Sequence, residues 1–242
     1  MPKTQNPTLL LSDAERAALR RARIKVRDLG EMHPEDVVAA TTGIALIAGA
    51  AAAVNCLIEQ RIDAVMARTR GRPLPRGEVN SRQTLLFSGV IGGIGLSLLY
   101  WFVNPLTMWL TLATFVGYAI IYTIFLKPAT PQNIVIGGGA GAIPPMVGYA
   151  AATGHLDWTA WILFAIIFMW TPPHFWALAI VRMKDYEHAG VPMMPVVRGE
   201  METRRQIFVY TIELVIVTLL LPILNLAGTF YLVSSLVLGG AL

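Results

Sequence analysis

Charge is scarce in this chain. Only 14% of its 242 residues are Asp, Glu, Lys or Arg, against 55% hydrophobic, and the mean hydropathy is +0.58. So little charge excludes a soluble domain of this length and predicts a polytopic membrane protein, with no nucleic-acid partner expected. Cysteine is scarcer still: Cys56 stands alone, which excludes an intramolecular disulfide and predicts packing rather than chemistry for its thiol. Residues 1–35 also lack any apolar run longer than Leu9-Leu10-Leu11, so a cleaved secretory signal is not expected there. Lys and Arg are missing altogether from the short connections at 104–105, 154–157 and 226–228.

What is present divides into a polar tail (1–35) and an apolar remainder (36–242). In the tail, Ser12 and Glu15 form a capping box ahead of good helix formers from Ala14 to Val26, ending before Gly30. Such a basic amphipathic helix is expected to lie on anionic headgroups, making the lipid bilayer a partner. Seven apolar stretches follow, at 37–58, 84–103, 106–126, 133–153, 158–182, 207–226 and 229–242. All but the last reach roughly the 20 residues a helix needs to cross the hydrocarbon layer. The expected fold is therefore all-α, a bundle of about seven helices, with small residues such as Gly92, Gly93 and Gly95 allowing close approach.

The cations set the sidedness. Seven of the 19 Lys and Arg lie in residues 1–35, six in 59–83, one at Lys127 and five between Arg182 and Arg205. The positive-inside rule puts the loops at 59–83, 127–132 and 182–205 on the cytoplasmic side and the three uncharged connections outside. A single span at 37–58 then leaves the basic tail on the wrong side, as though one spanning helix before residue 37 were missing.

The stretch with the clearest chemistry is Asn55 to Gly77. Asn55, Glu59 and Asp63 recur every four residues, which places an amide and two carboxylates on one helix face over about 12 Å. Arg68, Arg70, Arg72 and Arg76 follow, punctuated by Pro73, Pro75 and Gly77, so the helix should stop and a basic loop fold back over its tip. Hard oxygen ligands beside phosphate-pairing guanidinium groups are what a magnesium-bridged lipid diphosphate needs. The theme returns at Arg182 to Arg205, where Asp185 adds a carboxylate and Arg182, Lys184 and Tyr186 add phosphate partners; Pro192 and Pro195 should keep the next segment out of helix. Lys127, on the same side, joins the substrate-binding set. Between these loops lies W-T-P-P-H-F-W, residues 170–176, in which Pro172 and Pro173 should break the helix beside His174, an ionisable group inside a span and hence a functional candidate. Glu213 is expected to snorkel toward Arg204 and Arg205.

These segments, together with Y-T-x-x-L-K-x-x-T-P-Q-N-I-V-I-G-G-x-A-G-A-x-P-P-M-x-G from Tyr122 to Gly148 and D-Y-x-x-A-G-V-P-M-x-P-V-V from Asp185, resemble the heme O synthase branch of the UbiA-type intramembrane prenyltransferases. The resemblance runs from about His33 to Leu242 and does not include the first 32 residues. It implies an alkyl-transferring enzyme that moves a farnesyl group from farnesyl diphosphate to a vinyl group of heme B, with addition of water, releasing diphosphate and giving heme O. It implies Mg2+ as cofactor, held by Asn55, Glu59, Asp63 and Asp185 as the catalytic set. Arg72 and Arg76, with Arg68, Lys127, Lys184 and Tyr186, would meet the diphosphate. His174 would serve the heme side, and Trp170, Phe175, Trp176, Tyr118 and Tyr122 would offer π faces to an allylic cation. A bacterial inner-membrane location is implied, with heme A synthase or terminal oxidase assembly factors as partners. Members of this family have nine membrane helices, so the seven found here suggest that the first and ninth are missing and turnover is low. The readings left open are a non-catalytic relative that binds heme or prenyl lipid, and a transferase acting on a quinone or chlorin.

Overall fold

A computed structural model describes residues 34–241; the tail helix expected at Ala14 to Val26 lies outside them. Besides a single helical turn at Lys127–Ala129, ten α-helices follow in order: α1 Pro34–Ile58, α2 Gln60–Val65, α3 Ser81–Leu98, α4 Pro105–Phe115, α5 Asn133–Ala142, α6 Pro144–Thr153, α7 Trp158–Val181, α8 Met183–His188, α9 Met194–Ile223 and α10 Thr229–Ala241. Wider π-helical turns extend α3 through Leu99–Val103 and α4 through Val116–Leu126. No strand occurs among the described residues. Six segments are long and apolar enough to cross a membrane: Pro34–Ile58, Ser81–Val103, Pro105–Ala129, Asn133–Thr153, Trp158–Val181 and Met194–Ile223. The seventh, Thr229–Gly240, is shorter, as its sequence indicated.

Local chemistry sets the helix starts. Asn80 caps α3 in a reciprocal box: its side chain accepts from the Gln83 amide at 2.9 Å, and the Gln83 side chain accepts from Asn80 N at 3.0 Å. Asn104 caps α4 ahead of Pro105, and Asp157 caps α7 through the amides of Thr159 and Ala160. The Tyr149 hydroxyl donates to the Asp157 carboxylate at 2.5 Å and holds its pKa below the ordinary value.

Packing is inverted relative to a soluble protein. Large apolar side chains such as Leu86, Phe87, Trp101, Phe208 and Phe230 point outward, while much of the buried interior is alanine and threonine, including Ala50, Ala119, Ala150, Thr107 and Thr203. Where lipid gives no hydrophobic drive between helices, close backbone approach and interhelical hydrogen bonds must supply it. The α1–α3 contact does both. A Cβ on Gly95 would stand 2.8 Å from the Gly43 carbonyl oxygen and 2.8 Å from Ile47, and the Ser88 hydroxyl donates to Ala50 O at 3.0 Å.

Three expectations are corrected. Helix α7 runs unbroken through Pro172 and Pro173. The two prolines leave the Phe168 and Met169 carbonyls without their helical donors, but α5 packs closely against α7 at this level, where a Cβ on Gly138 would stand 3.0 Å from Thr171. Pro195 lies in the first turn of α9, where a missing amide costs nothing. The true break comes at Gly199, with φ 81 and ψ 166. Arg204 and Arg205 pair one turn back with Glu200 and Glu202 rather than with Glu213.

The α1–α3 contact yields a paired test. Gly95→Ala should destabilise the protein by about 1–3 kcal/mol through overpacking, lowering its thermal unfolding midpoint in detergent. Gly93→Ala, where a Cβ meets nothing within 4 Å, should leave the midpoint level or slightly raised.

Candidate active site

The site is built at one end of the bundle, where α1 runs out. Helical hydrogen bonding continues across the junction with α2, from Glu59 N to Asn55 O at 2.9 Å and from Asp63 N to Glu59 O at 2.8 Å. The four-residue spacing therefore survives as geometry. All three side chains are buried, Asn55 at 7%, Glu59 at 6% and Asp63 at 2% exposure, which is rare for carboxylates unless they are paired. Both are paired. The Lys127 ammonium donates to Glu59 Oε1 at 2.5 Å and an Arg72 guanidinium nitrogen donates to Asp63 Oδ2 at 2.6 Å.

Arg72 reaches Asp63 because the chain turns back. Met66 leaves helical geometry, Thr69 donates through its hydroxyl to Asp63 O at 3.1 Å, and Gln60 donates to Leu74 O at 3.2 Å with Leu74 buried beneath. Gly77, at φ 73, completes the reversal in a conformation that side chains rarely adopt. The expected basic loop over the helix tip is thus formed. Burial works against the Arg72 charge, but Asp63, with Glu59 behind it, outweighs that and raises its pKa above the ordinary value.

The wall opposite α1 is the π-helical part of α4. There Tyr118 and Tyr122 stack at 6.0 Å and 11°, and Thr123 donates through its hydroxyl to Tyr118 O, five residues back. Wider turns of this kind re-aim side chains and cluster at functional sites. Thr123 also accepts from Asn55 Nδ2 at 3.0 Å, leaving the amide oxygen of Asn55 as its free end. Glu59 lies within electrostatic range of Tyr118, Tyr122 and, from α8, Tyr186. Burial raises the Tyr186 phenol pKa, against the pull of Arg68 and Arg182.

Not every residue expected at the site converges on it. Asp185 pairs with its own neighbour Arg182 at 3.4 Å, and no group of three or more carboxylate, His or Cys side chains that could cage a metal occurs among the described residues. Arg76 pairs with Glu78 at 2.9 Å, and Lys184 is exposed. Trp176 is fully buried in a cluster with Ile134, Val191, Met193 and Met194, edge-on to Tyr210 at 5.5 Å. Its surroundings are those of a core residue. Trp170 and His174 stack at 4.3 Å and 18° on the open face of α7, and Trp170 also lines a cavity of about 410 Å³ shared with α9 and α10. A smaller cavity of about 220 Å³, lined by Ile44, Ala48, Ala51, Phe115 and Tyr118 among others, lies along α1, its lining there ending at Ala51, one turn before Asn55.

Two side chains that hold the candidate site residues in place escaped the sequence reading. Thr123 orients Asn55, and its only signal was a hydroxyl in an otherwise apolar run. Asn133 is fully buried and donates from Nδ2 to Lys127 O at 3.3 Å, fixing the base of that lysine, while its Oδ1 has no partner. The donor set fits magnesium: it favours oxygen, takes one or two carboxylates plus substrate phosphates, and does not require an all-protein cage.

Residues 26–242 match the UbiA prenyltransferase family. A protoheme IX farnesyltransferase of Thiobacillus denitrificans is 64% identical over 201 residues, covering 83% of this chain and 67% of the relative. One from Aromatoleum aromaticum is 62% identical over 206 residues, covering 85% and 68%. Among solved structures, a UbiA homolog from Archaeoglobus fulgidus bound to DMAPP and Mg2+ superposes with TM-score 0.69 at 15% identity, over 86% of this chain and 73% of that one. An apo UbiA homolog from Aeropyrum pernix K1 does so with TM-score 0.69 at 18% identity, over 86% and 77%. With its bundle matching solved UbiA folds and its sequence matching the family from residue 26 onward, the chain belongs to the UbiA prenyltransferase family.

Proposed function

We propose that the chain transfers a farnesyl group from farnesyl diphosphate to a vinyl group of heme B, giving heme O and diphosphate. The observation that carries this reading is the pair of buried carboxylates, Glu59 and Asp63, each closed by a cation, just beyond the end of the helix that lines an apolar cavity. The heme acceptor is supported by the names of the relatives above 60% identity. In the reaction the allylic C–O bond breaks and its electron pair leaves on the diphosphate. The freed allylic carbon bonds to one vinyl carbon, and water adds to the other with loss of a proton.

Each step needs something these residues offer. Arg72 and Lys127, with Arg68, neutralise charge developing on the leaving diphosphate, so they bind the transition state more tightly than the ground state. Asn55, Glu59 and Asp63 would hold magnesium, which when bound supplies Lewis-acid polarisation of the diphosphate oxygens. Tyr118 and Tyr122 present π faces beside the point where positive charge appears on the prenyl carbon. The cavity along α1 takes the apolar chain and keeps water from the cation. Trp170 and His174 offer a flat stacked surface for a porphyrin. The motif loops are cytoplasmic in this reading, and the membrane is the bacterial inner membrane.

Expression of the chain in cells lacking heme O, followed by heme extraction and mass spectrometry, tests the assignment: the farnesyl-hydroxyethyl product should appear, and its absence from a well-inserted protein contradicts it. Glu59→Gln or Asp63→Asn should lower product formation by about a hundredfold or more while membrane insertion is retained. Chelation of divalent cations should abolish turnover of the wild type, and added Mg2+ should restore it. Arg72→Lys should mainly impair use of farnesyl diphosphate, because an ammonium cannot reproduce the guanidinium fork. His174→Ala should raise KM for heme B and leave that for farnesyl diphosphate level.

A further inference from the structure

Glu59 and Asp63 are not open ligands. Each carboxylate is closed by a cation, and the cations are the more accessible partners: side-chain exposure is 16% for Lys127 against 8% for Glu59, and 32% for Arg72 against 3% for Asp63. Whatever enters from outside meets the ammonium and the guanidinium first. The four formal charges cancel, so a divalent cation arriving alone would have to expel Lys127 or Arg72 from its carboxylate and leave excess positive charge in a partly buried place. A diphosphate arriving alone would leave excess negative charge there. Charges without partners in such surroundings are strongly disfavoured. Among the described residues no group of three or more carboxylate, His or Cys side chains offers a cage that could offset this.

We propose that Lys127 and Arg72 are placeholder cations, which hold Glu59 and Asp63 until a prenyl diphosphate and a divalent metal enter together. The metal then takes the carboxylates, and the two cations pass to phosphate oxygens. The proposal rests on the prenyl-diphosphate reading above and adds a binding order to it: neither ligand binds well without the other. The fixed parts of the site suit such an exchange. Asn133 anchors the Lys127 backbone, and the Thr69 hydroxyl holds the Asp63 carbonyl, so the side-chain ends can move while the frame stays. Lysine, a point charge on a flexible stem, can change partners without the directional fork that guanidinium requires.

The binding order can be read without turnover. Isothermal titration of the full chain in nanodiscs would use Mg2+ alone, farnesyl S-thiolodiphosphate alone, and each in the presence of the other. In the wild type, each ligand should strengthen the other by about a hundredfold. Lys127→Gln frees Glu59 and should bind Mg2+ alone about tenfold more tightly than the wild type, while the coupling to the analogue shrinks by a similar factor. Arg72→Gln, at the more exposed pair, should behave the same way and serves if Lys127→Gln does not fold. Arg204→Gln, which removes an exposed pair with Glu200 elsewhere, should leave Mg2+ binding unchanged. If metal and analogue bind together but both placeholder variants bind Mg2+ alone no more tightly than the wild type, the placeholder role is overturned and the transferase reading stands. If the analogue fails to bind the wild type even with Mg2+, the prenyl-diphosphate reading falls and takes the placeholder role with it.

Discussion

Two carboxylates buried at the end of a membrane helix must be neutralised, and the active end of this protein is arranged around that requirement. Leaving Glu59 or Asp63 without its cation would cost about 3–5 kcal/mol, a large share of the stability of a typical domain. Meeting it ties together parts of the chain far apart in sequence. Lys127 comes from the end of α4, 68 residues beyond Glu59, and Arg72 comes from a loop that must turn back on itself. The ion pairs thus fix the end of α1, the 66–80 loop and the end of α4 as one unit. That unit is also what a magnesium-bound diphosphate would engage, so structural and chemical demands fall on the same four side chains.

The rest of the bundle supplies the conditions in which such a site is useful. Small residues bring α1 against α3 so closely that a Cβ on Gly95 would run into the Gly43 carbonyl, and they bring α5 tightly against α7 at Gly138. Beside α1 lies a cavity of about 220 Å³ with a predominantly apolar lining. Wider π-helical turns in α4 then place the Thr123 hydroxyl on Asn55 and stack Tyr118 with Tyr122. Buried charge and an apolar cavity thus lie along one helix.

Much of the arrangement was legible in the sequence wherever a short period or a local signal governed it. The four-residue spacing of Asn55, Glu59 and Asp63 became one buried face because helix geometry alone dictates it, and Pro73, Pro75 and Gly77 announced the returning loop. The six spanning segments followed from apolar length. What could not be read were choices made by tertiary contact. Trp176 sits beside Phe175 in a span that is apolar all round, so nothing local marks it as buried while Phe175 stays exposed. Helix α7 keeps its course through two prolines because α5 packs against it there. Asp185, expected to repeat the metal-binding theme, lies in an exposed pair with Arg182 three residues away. The Glu59–Lys127 pair, spanning 68 residues, had no sequence signal beyond two charges on the same side of the membrane.

The central claim is that Glu59 and Asp63 hold the metal while Lys127 and Arg72 hold the diphosphate. An experimental structure of the chain with farnesyl S-thiolodiphosphate and Mn2+, with the metal located by its anomalous scattering, addresses it most directly. The account predicts a single strong metal peak about 2.1 Å from oxygens of both Glu59 and Asp63, with Lys127 Nζ and the Arg72 guanidinium moved onto phosphate oxygens. A metal peak away from these carboxylates, or Lys127 still seated on Glu59 with the analogue bound, would contradict it.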